Sequence, residues 1–149
     1  MTVTNHSLSF SIPARLEDVH LIGRSINPII DRLGFDRVGS YHVELSLVEA
    51  ANNIITHAYQ GQNDQWIEFS LKVTGAELIC TFIDQGASYN YFEDIDMSVR
   101  KTTDISNLAH DRLGGTIICT VMDQVFFETR EGANHTTLIK QLPDKNDGD

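Results

Sequence analysis

The segment Glu44-Leu45-Ser46-Leu47-Val48-Glu49-Ala50-Ala51-Asn52-Asn53-Ile54-Ile55-Thr56-His57-Ala58-Tyr59 decides how the rest of the chain is read. At about 100° per residue, with Glu49 as origin, Asn53 falls near ~40° and His57 near ~80°; His42 and Ser46 join them near ~20° and ~60°. Val43, Leu47, Ala51, Ile54 and Ala58 gather on the other side, between about 120° and 200°. The spacing predicts an amphipathic helix from about Ser40 to Tyr59. Its polar stripe is unusual in kind, holding a carboxylate, an amide, two imidazoles and a hydroxyl but no Lys or Arg. Solvated helix faces usually carry long flexible charges, which favours a stripe facing a cleft. There Glu49 could take a proton from a hydroxyl as a general base. The side-chain oxygen of Asn53 is a hard ligand suited to Mg²⁺, which keeps several waters and binds substrate phosphates. Spacing alone leaves open whether this face meets a ligand or water.

Working outward, Leu8, Phe10 and Ile12 alternate with Ser7, Ser9 and Ser11, so a strand is expected over Ser7 to Ile12, closed by Pro13. Val19, Ile22, Ile26, Ile29 and Leu33 then recur at helical steps, with Gly34 as the stop. Pro28 inside that run implies a kink or a broken helix. Beyond the central helix, Trp66 to Val73 and Glu77 to Ile83 read as a hairpin through Thr74-Gly75-Ala76. A polar stretch of weak periodicity runs from Asp84 to Asp111. A short apolar helix is expected over Thr116 to Met122. Two closing strands follow, near Gln124 to Thr129 and His135 to Leu142, turned at Glu131-Gly132-Ala133-Asn134. The order β-α-α-β-β-loop-α-β-β, with strands joined by short turns, predicts an α/β two-layer sandwich: a mostly antiparallel sheet with helices on one face.

The bulk composition narrows the function classes. With 149 residues and 41% hydrophobic content the chain suits one domain, expected over 1–142, with an acidic disordered tail over 143–149. A net charge of −10, from 21 acidic and 11 basic residues, argues against nucleic acid as a direct ligand. No apolar run is long enough for a membrane span, and Met1 to Ser7 does not read as a secretory signal. Cys80 and Cys119, in apolar surroundings, read as reduced core thiols, so a cytoplasmic setting is expected.

The central helix resembles the asparagine-bearing helix of the GHKL-type anti-sigma serine/threonine kinases of bacterial partner-switching systems. That family shows a Glu, three residues, an Asn, three residues, then a His, often followed by a small residue and Tyr. By position, Glu49 matches the catalytic base, Asn53 the magnesium ligand and His57 the motif's histidine. For His57 a helix-end hydrogen bond is the alternative role. The similarity extends through the segment from Pro13 to Phe35, including Arg24 and Leu33-Gly34-Phe35. It also covers Met122-Asp123-Gln124-Val125 and Thr136-Thr137-Leu138-Ile139-Lys140.

Two further segments bear on the nucleotide. Asp84-Gln85-Gly86-Ala87 follows a strand and resembles the family's first glycine box, Asp-x-Gly-x-Gly. An Asp at the end of a buried strand can accept a hydrogen bond from an adenine amino group, and Gly86 lets the backbone approach the ring. Asp-x-Gly also describes ordinary turns, and Ser88 stands where the pattern has its second glycine. Arg112-Leu113-Gly114-Gly115-Thr116 resembles the second box, in which backbone N–H groups at a helix start suit phosphates. Here Arg112 occupies the first glycine position and Gly115 the apolar one, while Gly114 matches; Arg112 offers a charge to a phosphate. Without a ligand the same residues read as a glycine-containing helix start.

The resemblance implies an ATP- and Mg²⁺-dependent serine/threonine-protein kinase that acts as an anti-sigma factor. Its implied substrate is a STAS-domain anti-anti-sigma protein. A sigma factor is a further client of such proteins, and a homodimer is the implied assembly. Glu49 is then catalytic. Asn53, His57, Asp84, Gly86, Arg112, Gly114, Gly115 and Thr116 bind nucleotide, with Asn53 also on the metal. The irregular glycine boxes favour an alternative, a switch module that sequesters the same partners and transfers nothing. Two other classes fit less well. The ATP-binding half of a histidine kinase needs a dimerisation helix pair with a phosphoacceptor His, and a metal hydrolase needs a cluster that the six histidines do not form in sequence.

Overall fold

The computed structural model describes residues 5–88, 92 and 113–144, and only the backbone of Leu113 and Gly114. Five strands form one sheet in the order β1-β2-β3-β5-β4: β1 His6–Pro13, β2 Trp66–Val73, β3 Glu77–Asp84, β4 Gln124–Arg130 and β5 Ala133–Gln141. Every neighbouring pair is antiparallel, beyond the mostly antiparallel sheet expected. The helices are α1 His20–Ile30, α2 Arg37–Asn53 and α3 Leu113–Val121. Of the expected tail, the residues from Lys145 onward lie outside the described residues.

Period-two alternation makes the sheet one-sided. Ile67, Phe69, Leu71 and Val73 of β2 are buried, as are Leu78, Cys80, Phe82 and Asp84 of β3, while the residues between them are exposed or half-buried. Phe10, Phe69 and Phe82 face one another across three strands, with ring centroids 5.2 and 5.1 Å apart. Ile22, Ile26 and Ile30 of α1 and Val43, Leu47 and Ala51 of α2 join this face in one core. Burial of such side chains contributes roughly 1.5–3 kcal/mol each. α3 packs against α2, and its last turn is tied to β5, where Lys140 Nζ donates to Val121 O at 2.9 Å.

Four local features differ from the sequence reading. α1 is not broken at Pro28 but runs through it and ends two residues later at Ile30; the proline removes one ladder bond, the one its N–H would have given to the Arg24 carbonyl. α2 begins three residues before Ser40, since the Asp36 side chain accepts a bond from Gly39 N–H at 2.6 Å and caps it. It also stops at Asn53. The chain continues as a π-helical turn, Ile54–Ala58, in which Tyr59 N–H reaches Ile54 O at 3.0 Å. The last hairpin turns on two residues, Glu131 (φ 52°) and Gly132 (φ 77°), rather than four. Two positive φ values match the twist of the flanking strands, and Gly132 takes its own without strain.

Candidate functional site

α2 presents Glu49 and Asn53 one turn apart, both half-buried. Burial pushes the Glu49 carboxyl above the ordinary glutamate range, towards the pH at which a general base works best. Ser46, placed by angle on the same stripe, is fully buried and donates to His42 O at 2.9 Å. It is therefore part of the helix's own bonding and not of a cleft. His57 lies in the π-helical turn and is exposed. The regular angle used to place it does not hold there, because a π turn carries more residues than an α turn.

Asp84 ends β3 on the helix-covered face and is only 2% exposed. Burial raises its carboxyl; hydrogen bonds from Asn134 and Gly86, with the nearby His135, partly offset this. Its Oδ1 accepts from Gly86 N–H at 3.0 Å and from Asn134 Nδ2 at 2.8 Å. Gly86 makes a close approach, but to the chain itself. A Cβ there would lie 2.5 Å from Ala58 O, so only glycine fits. The Ala58 carbonyl, outside the helical ladder, accepts Ala87 N–H at 2.8 Å.

The end of the Glu49/Asn53 helix and the turn after Asp84 are thus held together. Tyr59 adds a second tie: its hydroxyl donates to Trp66 O at 2.7 Å and accepts from Gln85 N–H at 2.9 Å. A cavity of about 320 Å³ touches Tyr59, Trp66, Glu68, Asp84 and Gln85; neither Glu49 nor Asn53 lines it. Gly114, Gly115 and Thr116 fall in the first turn of α3 as described, Leu113–Val121. Arg112 lies outside the described residues.

Three contributors escaped the sequence reading. Tyr59 closes the quoted motif yet had no assigned role. Asn134, 2% exposed, donates through Nδ2 to Asp84 Oδ1 and to the carbonyls of Gly86 at 3.1 Å and Ala87 at 3.2 Å. Thr136 is buried on the same sheet face, diagonal to Asp84 across the β3–β5 register, and its Oγ1 has no partner among the described residues. A buried hydroxyl left unpaired costs about 1–3 kcal/mol, so this atom calls for a water or a ligand beside Asp84. The only signal for it was a Thr pair in a closing strand. Among the described residues no three His, Cys, Asp or Glu side chains gather to hold a metal. No described helix is long and apolar enough to cross a membrane.

Comparison with known proteins concerns the chain as a whole. A family model described as a histidine kinase-like ATPase domain matches residues 12–140. The serine-protein kinase RsbW of Halalkalibacterium halodurans is 27% identical over 128 residues, covering 85% of this chain and 78% of that protein. RsbW of Bacillus mycoides is 27% identical over 147 residues, covering 95% and 90%. Among solved structures, a chain in the crystal structure of the SiaB–SiaC complex from Pseudomonas aeruginosa superposes with a TM-score of 0.60. It is 12% identical and covers 91% of this chain and 89% of that one.

Proposed function

Because the chain belongs to the histidine kinase-like ATPase domain family, we propose that it is an ATP-dependent serine/threonine-protein kinase and anti-sigma factor acting on a STAS-domain antagonist. One observation carries this reading. Glu49 and Asn53 share the half-buried face of α2, and the end of that helix is docked through Ala58 onto the turn that follows Asp84. Asp84 offers a buried carboxylate to an exocyclic amine, and the unpaired Thr136 hydroxyl offers a polar partner beside it. These groups fit an adenine ring. By resemblance to the family's second glycine box, Gly114, Gly115 and Thr116 at the described start of α3 serve the phosphates, and Arg112 adds a charge. Asn53 suits Mg²⁺, which when bound offsets charge on the phosphates.

In this reading Glu49 accepts the proton of the antagonist's serine hydroxyl, and its raised pKa brings it closer to matching that task. His57, exposed at the helix end, borders the nucleotide. The names of the RsbW relatives support a serine-protein kinase, and the resemblance supports a homodimer with a sigma factor as a further client. Cys80 and Cys119, both buried, suit the reducing cytoplasm. Transfer of labelled phosphate from ATP to a serine of the cognate STAS domain tests the proposal. A specific observation favours the second reading, a switch that transfers nothing: Ser88 replaces the second glycine of the first box, and its side chain is engaged at 2.8 Å with Thr129. Nucleotide binding without transfer would select it.

A further inference from the structure

A chain of side-chain hydrogen bonds runs from β4 to Asp84. Thr129 Oγ1 donates to Asn134 Oδ1 at 2.7 Å, and Thr129 Oγ1 and Ser88 Oγ lie 2.8 Å apart. A hydroxyl carries one proton. Thr129 gives its proton to Asn134, so Ser88 is the donor to Thr129. This arrangement fixes the Asn134 amide. With its oxygen held by Thr129, both amide protons face the turn after β3. One meets Asp84 Oδ1, and the other is shared between the carbonyls of Gly86 and Ala87. A reversed amide would set its oxygen against a carboxylate and two carbonyls, which is repulsive at every contact.

We infer that Ser88, Thr129 and Asn134 form a positioning relay that orients the Asp84 carboxylate and the Gly86–Ala87 backbone for an adenine ring. The inference rests on the nucleotide reading above and extends it to residues on β4 and β5. Ser88 then has a use at the position where the family pattern has glycine. A glycine there donates nothing to Thr129, and the outer end of the relay is lost. The relay touches no ligand itself; it acts through Asp84, whose Oδ2 is left clear of every hydrogen bond among the described residues.

The test uses the full chain and two near-isosteric changes on the exposed edge strand. Thr129→Val keeps the shape and removes both hydroxyl bonds; Thr129→Ser keeps the hydroxyl. Two quantities are measured for the parent, both variants and Ser88→Ala. One is hydrogen exchange of the Asn134 side-chain amide by NMR without nucleotide, and the other is ADP affinity by calorimetry. The expected result is slow amide exchange in the parent and Thr129→Ser. In Thr129→Val, exchange accelerates and ADP affinity falls about tenfold, as for the loss of one net hydrogen bond. Ser88→Ala falls between.

Unchanged exchange in Thr129→Val overturns the relay whatever the ADP result. Faster exchange with unchanged ADP affinity overturns its positioning role. A parent that protects the amide but does not bind ADP overturns the nucleotide reading, and the positioning role with it, while leaving the hydrogen-bond chain standing.

Discussion

The hydroxyl of Tyr59 stands between two strands' ends, accepting from Gln85 N–H at 2.9 Å and donating to Trp66 O at 2.7 Å. Burial raises its pKa; the hydrogen bond from Gln85 N–H works against this and the negative charges of Asp84 and Glu68 add to it, and with the net shift upward the phenol stays protonated and remains a donor. One side chain therefore joins the end of the π-helical turn, the start of β2 and the exit of β3. Tyr59→Phe keeps the ring in the core and orphans two backbone groups. It should destabilise the protein by about 1–3 kcal/mol in urea unfolding. A change below about 0.5 kcal/mol would mean that water replaces the hydroxyl.

Asp84→Asn tests the adenine assignment. An amide oxygen can still accept from Gly86 and Asn134, so the turn is expected to survive. The charge that would face an exocyclic amine is gone. Losing a charge-assisted bond costs about 1.5–3 kcal/mol, so ADP affinity should fall roughly ten- to a hundredfold with an unchanged circular dichroism spectrum. Equal affinity in variant and parent assigns the base pocket elsewhere.

Asn53→Ala separates metal from nucleotide. Asn53 ends α2 on the half-buried face of Glu49, where its amide oxygen can serve Mg²⁺. ADP titrations with and without Mg²⁺ should differ for the parent and coincide for the variant. A variant that keeps the parent's magnesium response places the ligand on another side chain.

The sheet was legible in the sequence because, among the described residues, helices cover only one of its faces. Alternation in Trp66–Val73 and Glu77–Asp84 reports that asymmetry directly, and the strand bounds follow to within a residue. The π-helical turn was not legible. Ile54, Ile55 and Ala58 are buried there and would also suit an α-helix, so the apolar pattern carries no mark of the wider turn. Ser46 misled for a related reason: a short hydroxyl satisfies itself on the carbonyl four residues back, and polarity then says nothing about facing a cleft. Asn134 depends on the β3–β5 register, which pairs it with Asp84 fifty residues away in sequence; no local pattern encodes that pairing. Glu49, Asn53 and Asp84 stand out by their positional match to the family's motifs; spacing alone puts the first two on a mixed polar stripe and leaves Asp84 readable as an ordinary turn residue.

Glu49→Gln joins stability and chemistry in one substitution. Burial raises the Glu49 carboxyl, so the folded protein holds this proton more tightly than the unfolded chain does. The stability this contributes is fully present below the unfolded value of about 4.3 and is lost as pH rises through the raised native value. At neutral pH the ionised, half-buried carboxylate is therefore a burden. Glutamine keeps the shape and carries no charge. Its melting temperature should exceed the parent's at pH 7, with the difference shrinking as pH falls towards about 4. If Glu49 is the base, the same variant binds ADP and antagonist as the parent does but phosphorylates at least about a hundredfold more slowly. The parent's own rate should fall as pH drops through the raised native value. A switch that transfers nothing keeps the melting signature and shows no phosphate transfer in either form. Full transfer by the variant would move the base to another residue, whatever the melting curves show.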